Sequence, residues 1–250
     1  MSTRDPVVRR FSDLDALSRA AADELDGLAR AAVAERGAFH IALSGGSTPR
    51  RLFQLLAARG RDALPWERVE LWWGDERTVP PDHADSNYRM AREALIEPLG
   101  LAAARVHRIA GELADPAAAA AAYERALVDA LGAPPVLDVV LLGMGPDGHT
   151  ASLFPGSPGL DETRRWVIAN PVTSPLVHGT TTRITLSAPA INAARHVRFL
   201  VAGADKAAAL AAVLEGPRDA RYPSQRIAPA PGDLAWLVDE AAAAGLRGAR

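Results

Sequence analysis

The apolar run Leu137-Asp138-Val139-Val140-Leu141-Leu142 passes directly into Gly-Met-Gly-Pro-Asp-Gly-His-Thr-Ala-Ser-Leu-Phe-Pro-Gly, residues Gly143 to Gly156. A run this short, stopped by glycine, reads as a buried strand that opens into a glycine-rich bend. Open α/β sheets carry their ligands beyond the carboxyl ends of such strands, so Asp147 and His149 fall on the edge where chemistry is expected.

The same pattern recurs along the chain. Phe39 to Leu43 is a short strand that meets Ser44-Gly45-Gly46-Ser47-Thr48-Pro49, and Val69 to Trp73 is another that meets Gly74-Asp75-Glu76-Arg77. Between them lie helical periods. Leu14, Leu17, Ala21, Leu25, Leu28 and Ala32 define an amphipathic helix with Asp13 as N-cap and Gly37 as its stop. Thr48 and Pro49 suit the N-cap and first turn of a helix through Leu52, Phe53, Leu55 and Leu56. Ser86 or Asp85 caps a helix through Tyr88, Met90, Ala94 and Leu95 that Pro98 and Gly100 close, and Asp115-Pro116 opens an alanine-rich helix through Tyr123, Leu127 and Leu131 to Gly132. Further strands are expected at Trp166 to Ala169, Arg183 to Leu186, Val197 to Ala202 and Leu234 to Val238, with Lys206 at a helix start and an alanine-rich helix at the end. Strands alternating with helices predict an α/β fold with a mainly parallel, Rossmann-like sheet covered on both faces. Residues 1–250 contain no repeat or linker and are expected to form a single domain.

Composition narrows the function. The net charge is -2 and 48% of residues are hydrophobic, so no polyanion-binding surface and no nucleic-acid partner is expected. There is no cysteine, which excludes disulfides, thiol nucleophiles and cysteine-ligated metals. Met1 to Pro6 lacks the apolar core of a signal peptide, and no apolar run approaches the roughly 18 residues that span a bilayer. A cytoplasmic protein without membrane contact is the expectation.

Strand, glycine turn and helix start at Ser44 to Thr48 aim backbone N–H groups and a positive helix end at an anion. The two hydroxyls beside Gly45 and Gly46 favour a phosphate guest over a plain tight turn, and without a Gly-Lys-Ser/Thr ending the guest is a sugar phosphate and not ATP. Asp75 and Arg77 form a charged strand end in register with this loop. Gly143, Gly145 and Gly148 satisfy a dinucleotide-binding spacing, but Pro155 interrupts the helix that should follow, and no acidic residue ends the next strand. No Gly-x-Ser-x-Gly elbow marks a serine hydrolase, and no second histidine stands at metal-ligand spacing from His149. A histidine that titrates near neutrality takes a proton from water and returns it to a leaving oxygen, so metal-independent acid–base hydrolysis without a cofactor is expected.

Ser44 to Pro49, Gly74 to Arg77 with Asp85-Ser86-Asn87-Tyr88 downstream, Gly143 to Gly156, Arg183-Ile184-Thr185-Leu186, Ile191-Asn192-Ala193-Ala194 and Gly203-Ala204-Asp205-Lys206 stand in order along the chain. Together they resemble the 6-phosphogluconolactonase family, over about residues 10 to 245, and its fold is shared with glucosamine-6-phosphate deaminases. The resemblance implies hydrolysis of the δ-lactone of 6-phosphogluconate, a small sugar-phosphate lactone, in the oxidative pentose phosphate pathway. It implies His149 as the base that activates water, and Asp147 as the group that orients the ring or the sugar. Ser44, Gly45, Gly46, Ser47 and Thr48 would cradle the 6-phosphate, with Asp75, Arg77, Gly145, Gly148, Arg183 and Lys206 as further substrate contacts. Many lactonases carry a lysine in a Ser-Pro-Lys run before the Arg-Ile-Thr-Leu strand; here the run is Ser174-Pro175-Leu176, and His178 is the nearby substitute. Deaminases follow their Asp-Gly-His with an Asn-Glu-Pro segment whose glutamate assists ring opening, whereas Leu153-Phe154-Pro155 occupies this position. Phenylalanine relays no proton, which favours lactone hydrolysis. A sugar-phosphate sensor without turnover would have no need of His149. A monomer or weak homodimer is expected.

Overall fold

The strand-forming runs sort into two sheets. The computed structural model describes residues 7–177, 179–218 and 221–247. One sheet is parallel throughout, in the order β1 (Val7–Phe11), β9 (Asp233–Asp239), β8 (His196–Val201), β5 (Val139–Leu142), β2 (Phe39–Leu43) and β3 (Val69–Trp73). All four residues of β5 are buried, as expected of a central parallel strand covered on both faces.

The helices between the strands are α1 (Leu14–Arg36), α2 (Ser47–Arg59), α3 (Asn87–Ala91), α4 (Glu97–Leu99), α5 (Pro116–Leu131), α6 (Ala188–Asn192), α7 (Ala207–Glu215) and α8 (Glu240–Ala243). Asp13 and Ser86 cap α1 and α3 through their side chains, Asp115 accepts from Ala117 and Ala118 at the start of α5, and Gly37 closes α1 in the left-handed region. One helix boundary differs from expectation. Helix α2 begins at Ser47, with Gly46 and not Thr48 as N-cap, because Gly46 takes a φ of 101° that a side chain would resist. The helical run from Asn87 continues through a π-helical turn at Arg92–Ile96 into α4 and stops at Leu99, with Pro98 in its last turn and Gly100 as a left-handed C-cap, as expected.

The second sheet corrects the sequence reading. β4 (Asp75–Arg77), β7 (Gly179–Leu186) and β6 (Val167–Ser174) pair antiparallel, outside the parallel sheet to which Trp166 to Ala169 and Arg183 to Leu186 were expected to belong. Parallel neighbours need a crossover of a dozen or more residues, usually helical, and the few residues between these two strands allow only a hairpin. β1, whose two arginines hide its strand pattern, was not anticipated; it extends the parallel sheet along β9.

Strand order reverses between β2 and β5. From β2 the chain moves outward to β3, and from β5 it moves the other way to β8 and β9. The crevice between their carboxyl ends is the topological switch point, and the loops that open there are Ser44 to Thr48 and Gly143 to His149. Gly74 joins the two sheets. Its N–H donates to the carbonyl of Leu43 at the end of β2 (2.9 Å), and its carbonyl accepts from the N–H of Leu186 in β7 (2.8 Å). Asp75 and Arg77 therefore leave the parallel sheet beside this crevice.

Just before Gly74, the buried Tyr123 of α5 closes the outer edge of β3. Its hydroxyl accepts from the N–H of Trp73 (2.7 Å) and donates to the same residue's carbonyl (3.1 Å). Burial pushes this phenol well above its ordinary range, so it remains a donor. Tyr123→Phe leaves both main-chain groups of Trp73 unpaired and should cost about 1–3 kcal/mol, measured as a lower urea midpoint at unchanged slope.

Candidate active site

The switch-point crevice is a cavity of about 280 Å³. Its floor is the loop after β2 and the first turn of α2. No side chain caps α2, so the N–H groups of Ser47 and Thr48 are not consumed by a capping oxygen and line the cavity at a positive helix end. Gly45 lies so close to Asn87 that a Cβ there would fall 1.9 Å from Asn87 Oδ1.

Asp75 and Arg77 form one wall. Asp75 is buried, accepting from Ser152 Oγ (2.7 Å) and from Asn87 Nδ2 (3.2 Å), which also donates to the Asp75 carbonyl (2.9 Å). Arg77 donates to the carbonyl of Asp85, and its Nε is buried without a partner among the described residues. Directly opposite Arg77 on the neighbouring strand stands Arg183. Burial, and then the charge of Arg77, lower the pKa of Arg183, and no carboxylate lies in salt-bridge contact with either guanidinium among the described residues. Like charges facing across an antiparallel pair destabilise it unless an anion joins them. Lys206 enters from the far side, at the start of the α7 segment, with its ammonium 2.9 Å from Asp205.

The loop after β5 closes the cavity. His149 Nδ1 lies 2.6 Å from Asp147 Oδ1, and the same oxygen accepts from the His149 N–H (3.1 Å). A carboxylate only accepts, so Nδ1 carries a proton, and in the neutral ring the lone pair is on Nε2. Burial would raise the Asp147 carboxyl, but the hydrogen bond and charge of His149 outweigh it and hold the group below its ordinary range. The imidazole stacks on Phe154, with ring centroids 4.0 Å apart and planes 16° from parallel. Gly145 makes this possible, because a Cβ there would lie 2.1 Å from His149 Nδ1 and 2.7 Å from Asp147 Oδ1.

Of the residues singled out from the sequence, Ser44, Gly45, Gly46, Ser47, Thr48, Asp75, Arg77, Gly145, His149 and Lys206 line this one cavity. Arg183 is not among the lining residues; it pairs with Arg77 across β4 and β7. Asp147 lies beyond the imidazole and lines an apolar groove with Phe154 and Pro155, so it faces the ring and not the cavity. Gly148 is also set back: Tyr222 packs against it, and its N–H is used within the loop, donating to the Gly145 carbonyl (3.0 Å). The Gly145 N–H is likewise engaged, with the His149 carbonyl (2.9 Å). Neither N–H is open to a ligand. His178 lies outside the described residues. Sequence reasoning gave no role to Asn87, Ser152 or the apolar wall of Met144, Ala151 and Leu176. Only the Ser-Asn-Tyr block hinted at Asn87; Ser152 carried no separate signal, because its partner is 77 residues away. Among the described residues, no three His, Asp or Glu side chains converge as metal ligands, and no helix is long and apolar enough to cross a membrane.

A parallel α/β sheet with an uncapped helix end, facing arginines and an Asp–His pair at its switch point is the framework of an α/β enzyme with its site at the carboxyl ends of the strands. The family model for glucosamine-6-phosphate isomerases/6-phosphogluconolactonase matches residues 12–236, and the chain belongs to that family. A 6-phosphogluconolactonase from Nostoc sp. is 46% identical over 221 residues, covering 86% of this chain and 88% of the relative. The solved 6-phosphogluconolactonase from Trypanosoma cruzi superposes with a TM-score of 0.87 at 31% identity, covering 99% of both chains. A monomeric glucosamine-6-phosphate deaminase shares the fold, with a TM-score of 0.81 at 21% identity over 96% of this chain and 99% of that one.

Because the Asp147 carboxyl is held low, its ionised form favours the folded state. Its contribution is present above the unfolded value of about 4 and is lost as pH falls through the lower folded value. The stability difference between wild type and Asp147→Asn, read from urea midpoints, should therefore shrink as pH falls below about 4.

Proposed function

We infer that the chain hydrolyses 6-phospho-D-glucono-1,5-lactone to 6-phosphogluconate, a 6-phosphogluconolactonase reaction, with His149 as general base. The observation that carries the mechanism is the 2.6 Å contact between Asp147 Oδ1 and His149 Nδ1, which leaves Nε2 as the proton acceptor beside the cavity. Water gives a proton to Nε2 as its oxygen bonds to the lactone carbonyl carbon. The tetrahedral intermediate then expels the ring oxygen, which takes the proton back from the imidazolium, and the new carboxylic acid ionises. Asp147 holds the ring and stabilises its charged form throughout.

The 6-phosphate is read by the N–H groups at the start of α2, by Lys206 and by the Arg77–Arg183 pair, which fix the lactone against the base. Asp75, held by Ser152 and Asn87, is placed to accept from a sugar hydroxyl. The chain works as a single domain in the cytoplasm, as a monomer or weak homodimer, on a small diffusible substrate and without a cofactor. The aromatic stack of Phe154 on His149 favours this reading over the deaminase, because it occupies the ring face with a group that moves no proton.

The test generates the lactone with glucose-6-phosphate dehydrogenase and reads ring opening as NADPH from excess 6-phosphogluconate dehydrogenase, against spontaneous hydrolysis. A rate well above the spontaneous one is expected. Ammonia release from glucosamine 6-phosphate instead would move the protein to the deaminase reaction. In this assay His149→Ala should lower kcat roughly 10²- to 10⁴-fold; near-normal turnover removes His149 from the reaction. Lys206→Ala and Arg183→Ala should raise KM for the phosphorylated lactone more than for unphosphorylated gluconolactone. Equal effects on the two substrates would make these residues structural.

A further inference from the structure

The turn that carries the Asp147–His149 pair is gripped from behind by a segment more than 70 residues downstream. Gly148, the residue between the pair, offers its carbonyl to two donors of Ser224: Oγ at 2.8 Å and the main-chain N–H at 3.1 Å. Ser224 is 1% exposed, so no water competes for the contact. On the same side Tyr222 covers the α-carbon of Gly148, and a Cβ added there would lie 2.5 Å from the Tyr222 ring. Gly148 has a φ of 75°, and its peptide planes set where both flanking side chains leave the backbone.

The gripping segment is itself anchored to the scaffold. Gln225 Nε2 donates to the carbonyls of Val213 and Pro217 (both 3.1 Å), Arg226 Nη1 donates to Leu160 (3.1 Å), and the Arg226 carbonyl accepts from Asn192 Nδ2 (3.0 Å). These bonds tie the end of α7, the turn before β6 and α6 to one short 3₁₀ turn at Pro223–Arg226. The pair is thus fixed on three sides. Asp147 holds the imidazole edge, Phe154 holds its face, and Ser224 holds the peptide from which both members extend.

We propose that Ser224 is a positioning residue of the hydrolytic site, acting through the Gly148 carbonyl to keep Asp147 Oδ1 on His149 Nδ1. The proposal rests on the reading of His149 as general base. A positioning role predicts a specific pattern. Ser224 touches no part of the cavity, so its loss should leave substrate binding intact while the base is misaligned, and small misplacements of reacting groups carry large rate costs.

The test is a double-mutant cycle of Ser224→Ala with His149→Ala in the coupled lactone assay, with enzyme raised until rates exceed spontaneous hydrolysis. Ser224→Ala alone should lower kcat about 10-fold with KM within about twofold. In the His149→Ala background the same change should lower kcat by less than about twofold, because no base remains to misalign. Wild-type kcat in Ser224→Ala, or equal losses in both backgrounds, overturns the proposal. Should Ser224→Ala fail to fold, Tyr222→Leu loosens the same turn from its partly exposed side and is read by the same two criteria. The control separates the two readings: full turnover in His149→Ala removes the general base and the positioning role together, whereas additive losses on an impaired His149→Ala remove only the role of Ser224.

Discussion

The two main-chain hydrogen bonds of Gly74 hold this site together. One binds the end of β3 to β2, and the other binds it to β7, so the last residue of the parallel ladder is also the first to touch the antiparallel sheet. Without that junction the six parallel strands would still form, since their apolar runs are buried on both faces. Asp75, Arg77 and Arg183, however, would have no fixed relation to the loops after β2 and β5. The crevice at the switch point becomes a walled cavity because a second sheet is attached at this residue.

Electrostatics within the cavity follow from this construction. Two arginines face each other across β4 and β7 with no carboxylate in salt-bridge contact among the described residues, and an unneutralised α2 N-terminus and Lys206 stand across from them. A folded protein retains such a concentration of positive charge at a cost. Among the described residues, Asp205 is the carboxylate that pairs with one of these cations, at Lys206. Asp147 lies on the far side of the imidazole, and Asp75 is occupied by Ser152 and Asn87.

Much of this was legible from local chemistry. Glycine after each apolar run announced the strand ends, and Asp13, Ser86 and Asp115 announced helix starts; the resemblance, and not local chemistry, gave Asp147 as orienting either the ring or the sugar. Local pattern failed where pairing partners are distant. β6 and β7 were read as members of the parallel sheet because each looks like an ordinary strand; only the shortness of the connection between them, which leaves no room for a crossover, decides that they form a hairpin. β1 was missed because Arg9 and Arg10 obscure its apolar pattern, although its strand state depends on the free edge of β9. The resemblance placed Gly145 and Gly148 among the substrate contacts, whereas their N–H groups close the turn itself.

The sequence by itself determined most of the alternation of strands and helices and the positions of the loops at the carboxyl edge, because each depends on residues close together along the chain. The tertiary structure alone decided which loops share a cavity, that Arg77 meets Arg183, that Asn87 and Ser152 fix Asp75, and that Ser224 reaches the Gly148 carbonyl. The residue contacts among these join positions 12 to 106 apart, and the free energy of bringing them together comes from the burial of the whole core, which no local window of sequence contains.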